Sequence, residues 1–507
     1  MLTEACPHGI GITWIPAFAR MTAIQINKIN LNKNYMNRIL IGDLSNHKGS
    51  EATIQGWVSV RRDQGKMVFF DFRDRTGYVQ GVVLPGSEAI EIAKEIKTEY
   101  VVSVTGKVNE RPERNRQADK QNGDIELEIL EMEILNETET LPFEISSDTS
   151  VVGEETRLKY RYIDLRSERV QKNIRMRHKI QKLIRDFLDA QGFIEVETPI
   201  LTKSTPEGAR DYIVPSRLYP GTSYALPQSP QQYKQLLMTA GVERYFQLAR
   251  CMRDEDTRGD RQPEFTQLDM EMSFVDQDAV MQVNEELLIK VVQDLYPEKK
   301  IQQIPFPRIT YKDAMEQYGN DRPDIRTDKN DPNLLAFCWV VDFPFFESTE
   351  TSDNPDTHGS WTFTHNPFSA PKSEHMQWLM EKKNIGEILT TQYDIVLNGY
   401  EIGGGSIRNH KPEALRTVFE IIGHKPEDID INFGHMLKAF ASGTPPHGGI
   451  AWGFDRFLML LQNEPNIREV IPFPKTGEGK DLMMNAPAPV SDRQLDELHL
   501  IAKKKTV

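Results

Sequence analysis

The sequence predicts an α+β protein in two parts, a five-stranded β-barrel followed by a larger domain whose antiparallel sheet is flanked by helices. Three observations carry this. The 507 residues are too many for one ordinary core. Residues 51–135 hold five short strand-like runs separated by turn-forming clusters. Beyond residue 166, strand-like runs and helical stretches mix without the regular repetition of a parallel sheet.

The five runs are 51–61, 67–73, 78–84, 99–108 and 125–135, with breaks such as Asp74–Gly77 and Glu110–Gly123. A helical stretch, 87–97, lies between the third and fourth. Three strands, a helix and two strands is the order of an OB-fold barrel, which often binds single-stranded nucleic acid. Side chains alternate along a strand, so Val68, Phe70 and Phe72 share one face, and Met67, Phe69 and Asp71 the other. Taking the first face as core makes Phe69 an exposed aromatic that could stack a base for roughly 1–3 kcal/mol. A second core on that side is the plainer alternative.

The polar stretch 136–156 places a hinge over 139–165, between a barrel domain of 36–138 and a second domain of 166–507. Residues 1–35 read as a loose extension upstream of Met36. Their apolar run 11–19 is interrupted by Pro16 and follows no basic segment, which argues against a signal peptide. The second domain opens on a helix over 170–190, with Ile174, Ile180, Leu183, Ile184, Phe187 and Leu188 at helical spacing and Gly192 as its stop. Strand-like runs follow at 193–196, 223–226, 243–250, 264–274, 338–343 and 393–397.

Composition narrows the function. No apolar run reaches the ~18–20 residues that span a bilayer. Cys6, Cys251 and Cys338 are scattered, without a zinc-binding grouping, as expected of reduced thiols in a cytoplasmic protein. A formal net charge of −14 argues against indiscriminate nucleic-acid binding. Base is concentrated in 157–185, either a solvated helix face or a surface for a nucleic-acid backbone.

Three segments carry chemistry. GFIEVETP (192–199) is a helix stop, a strand and a terminating proline. In 244–274, Arg253 and Glu255 follow a strand-like run, a loop rich in Asp, Arg and Gly comes next, and Phe265 opens an alternating strand. Such a hairpin can aim Arg253 at a phosphate, which its planar fork binds with charge and direction, while Phe265 offers a face to a purine. In GGIAWGFDRFLMLL (448–461), Arg456 falls at a helix start, where an anion is favoured.

In this order the segments resemble motifs 1, 2 and 3 of the class II aminoacyl-tRNA synthetases. RLKYRYIDLR (157–166), TPEGARDYIVPSR (205–217), ALPQSPQQYKQLL (225–237), RDEDTRGDRQPEFTQLD (253–269) and GYEIGGGSIR (399–408) are similar to the bacterial-type aspartyl-tRNA synthetases. The likeness runs from about residue 38 to beyond residue 490. It implies ATP-dependent activation of L-aspartate and transfer to tRNA-Asp by a cytoplasmic homodimer, with the barrel binding the anticodon. Arg253, Glu255 and Arg456 are the implied catalytic residues, with Arg253 on the α-phosphate and Arg456 on the terminal phosphates. Asp254, Glu255, Gln262, Phe265, Glu401, Gly453, Phe454 and Asp455 complete the implied ATP site, and Asp394 and Glu401 the implied Mg²⁺ site. Glu207, Gln231 and Asp269 are expected to face the substrate's amino group. Lys234, Arg408 and His365 are expected at its side-chain carboxylate, Arg253 near its reacting one, and Arg62, Phe69 and Gln80 at the anticodon.

The chain also departs from the pattern. Only TDKNDPNLLA joins 318–326 to 337–343, where bacterial-type relatives usually insert a large domain. His365-Asn366 stands where paired histidines are frequent, and Gln64 where Leu or His bears on acceptance of tRNA-Asn as well as tRNA-Asp. The rival readings are an asparaginyl or lysyl enzyme of the same subgroup and a non-catalytic OB-type nucleic-acid-binding relative. Arg408 within GGGSIR disfavours the former, and the intact Arg253, Glu255, Glu401 and Arg456 disfavour the latter.

Overall fold

The computed structural model describes residues 38–204, 208–349 and 360–502. The extension expected at 1–35 and the candidate Glu207 lie outside them. The chain divides between Pro142 and Phe143 into two compact units.

In the first unit, β1 (Glu51–Asp63), β2 (Val68–Asp74), β3 (Gly77–Val83), β4 (Val101–Glu110) and β5 (Ile125–Asn136) close a barrel in the order β1-β2-β3-β5-β4. The β3–β5 pairing is parallel and the others antiparallel. Only one turn and a half of the helical stretch between β3 and β4 is helix, Ile90–Glu95. Val68, Phe70 and Phe72 are buried in the barrel core, and the Phe70 and Phe72 rings stack at 5.6 Å. Phe69 is half-buried on the opposite face.

The second unit is built on an eight-stranded sheet. Its strands are β6 (Ile194–Glu195), β9 (Arg244–Met252), β10 (Glu264–Ser273), β12 (Arg308–Thr310), β14 (Phe337–Val341), β17 (Gln392–Leu397), β18 (Tyr400–Ile407) and β19 (His447–Gly453). The order is β12-β14-β17-β18-β19-β10-β9-β6. The six central strands are antiparallel, while the edge strands β6 and β12 pair parallel. Three small two-stranded sheets stand apart: β7 (Ile213–Pro215) with β8 (Ser223–Ala225), β11 (Lys300–Ile301) with β13 (Leu334–Leu335), and β15 (Phe346–Ser348) with β16 (Trp361–Phe363).

One sheet face carries the main core. Leu268, Met270 and Met272 of β10, Tyr393 and Ile395 of β17, and Ile450 and Trp452 of β19 pack there with Ile180, Ile184 and Leu188 from the helix Glu168–Ala190. Those three helix residues sit four apart, so successive turns present one stripe to the sheet.

Residues 154–164, inside the expected hinge, are ordered instead as the helices Glu154–Lys159 and Arg161–Asp164. Arg157 donates to both oxygens of Glu469 at 2.8 Å, and Arg161 donates to the carbonyls of Arg468, Ile471 and Pro472. Buried arginines need such partners, and these come from the far end of the chain.

Candidate active site

The opposite face of the same sheet is polar and equally buried. Alternation along β10 sends Leu268, Met270 and Met272 to the core and therefore Gln267, Asp269 and Glu271 to the other side. Register extends this face across the sheet. Gln247, Asp269, Ala451, Gly404 and Asp394 lie abreast, and Tyr245, Glu271, Gly449, Ser406 and Gln392 form the next row. Phe265 lies six residues from Glu271 along β10, about 20 Å at strand rise. The result is a long polar floor with an aromatic ring at one end and buried charge at the other.

Small residues make room for it. A Cβ on Gly449 would stand 2.1 Å from Oε2 of Glu271, and one on Gly404 would stand 2.6 Å from Oδ1 of Asp394. Both glycines are required by close approach.

The charged end contains two cations. Lys234, on the helix Gln231–Thr239, places Nζ 2.5 Å from Oδ1 of Asp269 and 3.2 Å from Oε2 of Glu271. Arg408, just beyond β18, donates from Nε and Nη2 to Glu271 at 2.9 and 3.1 Å and from Nη1 to Ser406 Oγ at 2.9 Å. Burial alone would raise the Glu271 carboxyl, but Arg408 and Lys234 outweigh it and hold it at about 2. Asp269 is pushed up by burial despite Lys234, and its Oδ2 makes no hydrogen bond. The Nε2 of Gln231 is likewise buried and unpaired. Glu271 was absent from the expected site residues, although it continues the period-two pattern of Phe265, Gln267 and Asp269.

At the aromatic end, the Arg253 guanidinium lies over the Phe265 ring, 5.2 Å from its centroid. Arg456 donates to the Glu401 carbonyl and to Asp260 Oδ2, the latter at 3.1 Å. The Nε atoms of both arginines are buried without a hydrogen bond. Glu255 receives Arg261 at 3.3 Å, and Asp254 bridges through its backbone to Arg210. Gln262 is buried and accepts from the Lys475 amide at 2.7 Å, which ties the loop to the C-terminal segment.

Two expected ATP contacts need correction. Phe454 is fully buried in the main core beneath the Arg177 guanidinium, leaving no face for a nucleotide. Asp455 is also buried, and both its oxygens are taken, one by Arg177 and the other by the Thr266 amide at 2.8 Å. These residues fix the start of the helix Phe454–Leu461 against β10, and Arg456 is the member of that turn left facing outward. Gly453 lies between them and β19 as the strand's last residue.

Asp394 is buried and accepts from Gln392 at 2.7 Å. Burial, then the Glu401 and Asp321 carboxylates, pushes it well above the ordinary carboxylate range. His365 lies beside Asp394, with Nδ1 3.9 Å from Oδ2, and burial lowers its pKa. His365 is thus placed with the acidic pair.

On the barrel, Arg62 stands opposite Phe69, and Asp71 opposite Gln80, so all four share the outer face of β1, β2 and β3. Arg62 is already held by both oxygens of Asp71, at 2.9 and 3.0 Å. Gln80 reaches Glu126 at 3.5 Å.

Residues 153–477 match the class II tRNA synthetases (D, K and N), and residues 52–135 match the OB-fold nucleic acid binding domain. The chain belongs to the class II tRNA synthetases of this group. An aspartate--tRNA(Asp) ligase of Deinococcus radiodurans is 41% identical over 90% of this chain and 98% of its own length. An aspartate--tRNA(Asp/Asn) ligase of Rubrobacter xylanophilus is 40% identical, over 89% and 94%. The alignment with the former spans 576 residues, more than the whole present chain, as expected where the relative carries a segment missing here. Among solved structures, asparaginyl-tRNA synthetase from Pyrococcus horikoshii shares the fold with a TM-score of 0.69, at 23% identity over 87% of this chain and 98% of that one. Aspartyl tRNA synthetase from Entamoeba histolytica gives 0.66 at 24% identity over 86% and 91%. No described helix is long and apolar enough to cross a membrane.

Proposed function

We propose that this protein is an aspartate--tRNA ligase, which activates L-aspartate with ATP and transfers it to the 3′ end of tRNA-Asp. The observation that carries this reading is the pair of buried cations, Arg408 and Lys234, at the end of a floor that begins at Arg253 and Phe265. A substrate laid along it has an adenine against Phe265, its reacting phosphate at Arg253 and an anionic side chain at Arg408. The unpaired oxygen of Asp269 suits an α-ammonium group nearby, and the unpaired Nε2 of Gln231 can donate to a substrate carboxylate oxygen. An asparagine amide would turn its own N–H₂ toward the outward N–H groups of Arg408, a donor-against-donor mismatch that such a site penalises strongly.

The chemistry requires no side-chain nucleophile. The substrate carboxylate attacks the α-phosphate, and pyrophosphate leaves. Arg253 and Arg456 orient the phosphates and offset the charge that develops on them. Asp394 and Glu401 would hold Mg²⁺. Their all-oxygen donor set suits that ion. When bound, the ion would neutralise phosphate oxygens.

The outer barrel face of Arg62, Phe69 and Gln80 is assigned to the anticodon, with Phe69 as the stacking ring. The exposed apolar residues Ile194, Ile200 and Leu201 around Pro199 support a homodimer, testable by sedimentation. The proposed place of work is the cytoplasm. Charging assays on purified tRNA-Asp and tRNA-Asn test the reading. Aspartate on tRNA-Asp is expected, aspartate on both would establish a relaxed enzyme, and aspartate on neither would refute the assignment.

A further inference from the structure

We propose that Glu271 is a positioning residue that aims Arg408 at the substrate and thereby sets discrimination between aspartate and asparagine. The inference rests on the reading of Arg408 as the partner of the substrate's side-chain carboxylate.

A guanidinium carries five N–H groups in a rigid plane. Glu271 takes two of those on Arg408, through Nε and Nη2, and Ser406 takes one through Nη1. One N–H remains on each terminal nitrogen, the number that two carboxylate oxygens accept. With three contacts in one plane, the guanidinium cannot turn. Glu271 is itself confined, because Oε2 also meets Lys234 at 3.2 Å and the Gly449 position leaves no space for even a methyl group.

The charge count supports the same role. Lys234 and Arg408 against Asp269 and Glu271 is a balanced set, so no free excess of positive charge draws an anion in. Recognition of a carboxylate then depends on the direction of the remaining Arg408 N–H groups. A fork out of register costs a two-oxygen acceptor more than an amide, which offers one oxygen.

The test is pyrophosphate exchange by the full-length protein, with aspartate and with asparagine. Glu271→Gln cannot accept from both Arg408 nitrogens, since its amide N–H₂ opposes one of them. The expected result is an aspartate KM raised about 10- to 100-fold, an aspartate-to-asparagine ratio of kcat/KM reduced by a similar factor, and an unchanged ATP KM. Ser406→Ala leaves every charge in place and removes the other tether, together with the hydrogen bond that Ser406 Oγ accepts from Ser369 Oγ at 2.9 Å. It is expected to raise the aspartate KM about 3- to 10-fold. Unaltered aspartate KM and discrimination in both variants overturn the proposal, as do equal losses for aspartate and ATP. If Glu271→Gln does not fold, Ser406→Ala decides alone by the same readouts. A wild-type protein with no aspartate-dependent exchange overturns the underlying reading of Arg408, and this inference with it.

Discussion

Replacing Asp455 with Asn separates a residue that shapes the ATP site from one that touches ATP. In the native fold its carboxylate accepts from Arg177 and from the Thr266 amide, linking the helix Glu168–Ala190, β10 and the start of the helix Phe454–Leu461. An asparagine must turn a donor toward one of two donors. Breaking a fully buried ion pair costs about 3–5 kcal/mol. The Arg177 side chain is 13% exposed and also reaches Thr266 Oγ1 at 3.0 Å, so the loss is discounted to about 2–3 kcal/mol. That corresponds to a fall in Tm of roughly 3–4 °C for a unit as large as Phe143–Val507. Displacement of the helix start should raise the ATP KM with it. Arg456→Ala is the contrast. Its pairing with Asp260 is partly exposed, so Tm should move by only about 1 kcal/mol equivalent or less, while exchange falls about 100-fold or more. Thermal denaturation and ATP-dependent exchange on both variants provide the readout. An Asp455→Asn protein with native Tm and failed ATP use would refute the argument, because Asp455 would then have to meet the nucleotide directly.

Two further outcomes follow from other parts of the molecule. Phe69→Ala should leave aspartate-dependent exchange unchanged but raise the tRNA KM in charging by roughly 5- to 150-fold, the equivalent of a lost stack of about 1–3 kcal/mol; equal loss of both activities would contradict the division between the units. Glu469 is raised by burial, but Arg157 and Arg169 outweigh this and hold it at about 2, against an ordinary 4.5. Its folded pKa is depressed, so its stabilisation is complete above about pH 4.5 and is lost as pH falls toward 2. Glu469→Gln should be less stable at neutral pH by about 3–5 kcal/mol and show a shallower loss across that window in acid denaturation monitored by circular dichroism. An unchanged acid profile would exclude the pairing as its source.

Much of the architecture was legible because it follows local periodicity. The five barrel strands and the core face of β2 come directly from alternation, as do β9, β10 and β17 in the second unit. The same alternation could have disclosed Glu271, two residues past Asp269 and on its side of the strand. Phe454 and Asp455 were misassigned because a motif marks a place in the chain without saying which side of a helix each residue faces. The helix period turns Phe454, Phe457, Leu458 and Leu461 into the core and leaves Arg456 outside. Other features had no local signal. Arg157 with Glu469, and Arg177 with Asp455, join residues hundreds of positions apart, so the ordering of 154–164 and the buried state of Asp455 depend on tertiary partners. The parallel edge strands β6 and β12 are likewise decided by which neighbour they meet.

The central claim is amino-acid choice at the floor ending in Arg408 and Lys234. Its most direct measurement is ATP–pyrophosphate exchange by the purified protein with Mg²⁺ and, in turn, aspartate, asparagine and lysine. Exchange with aspartate, at least about a hundredfold above asparagine and lysine, is the predicted result. Exchange that prefers asparagine or lysine, or none with aspartate, would contradict it.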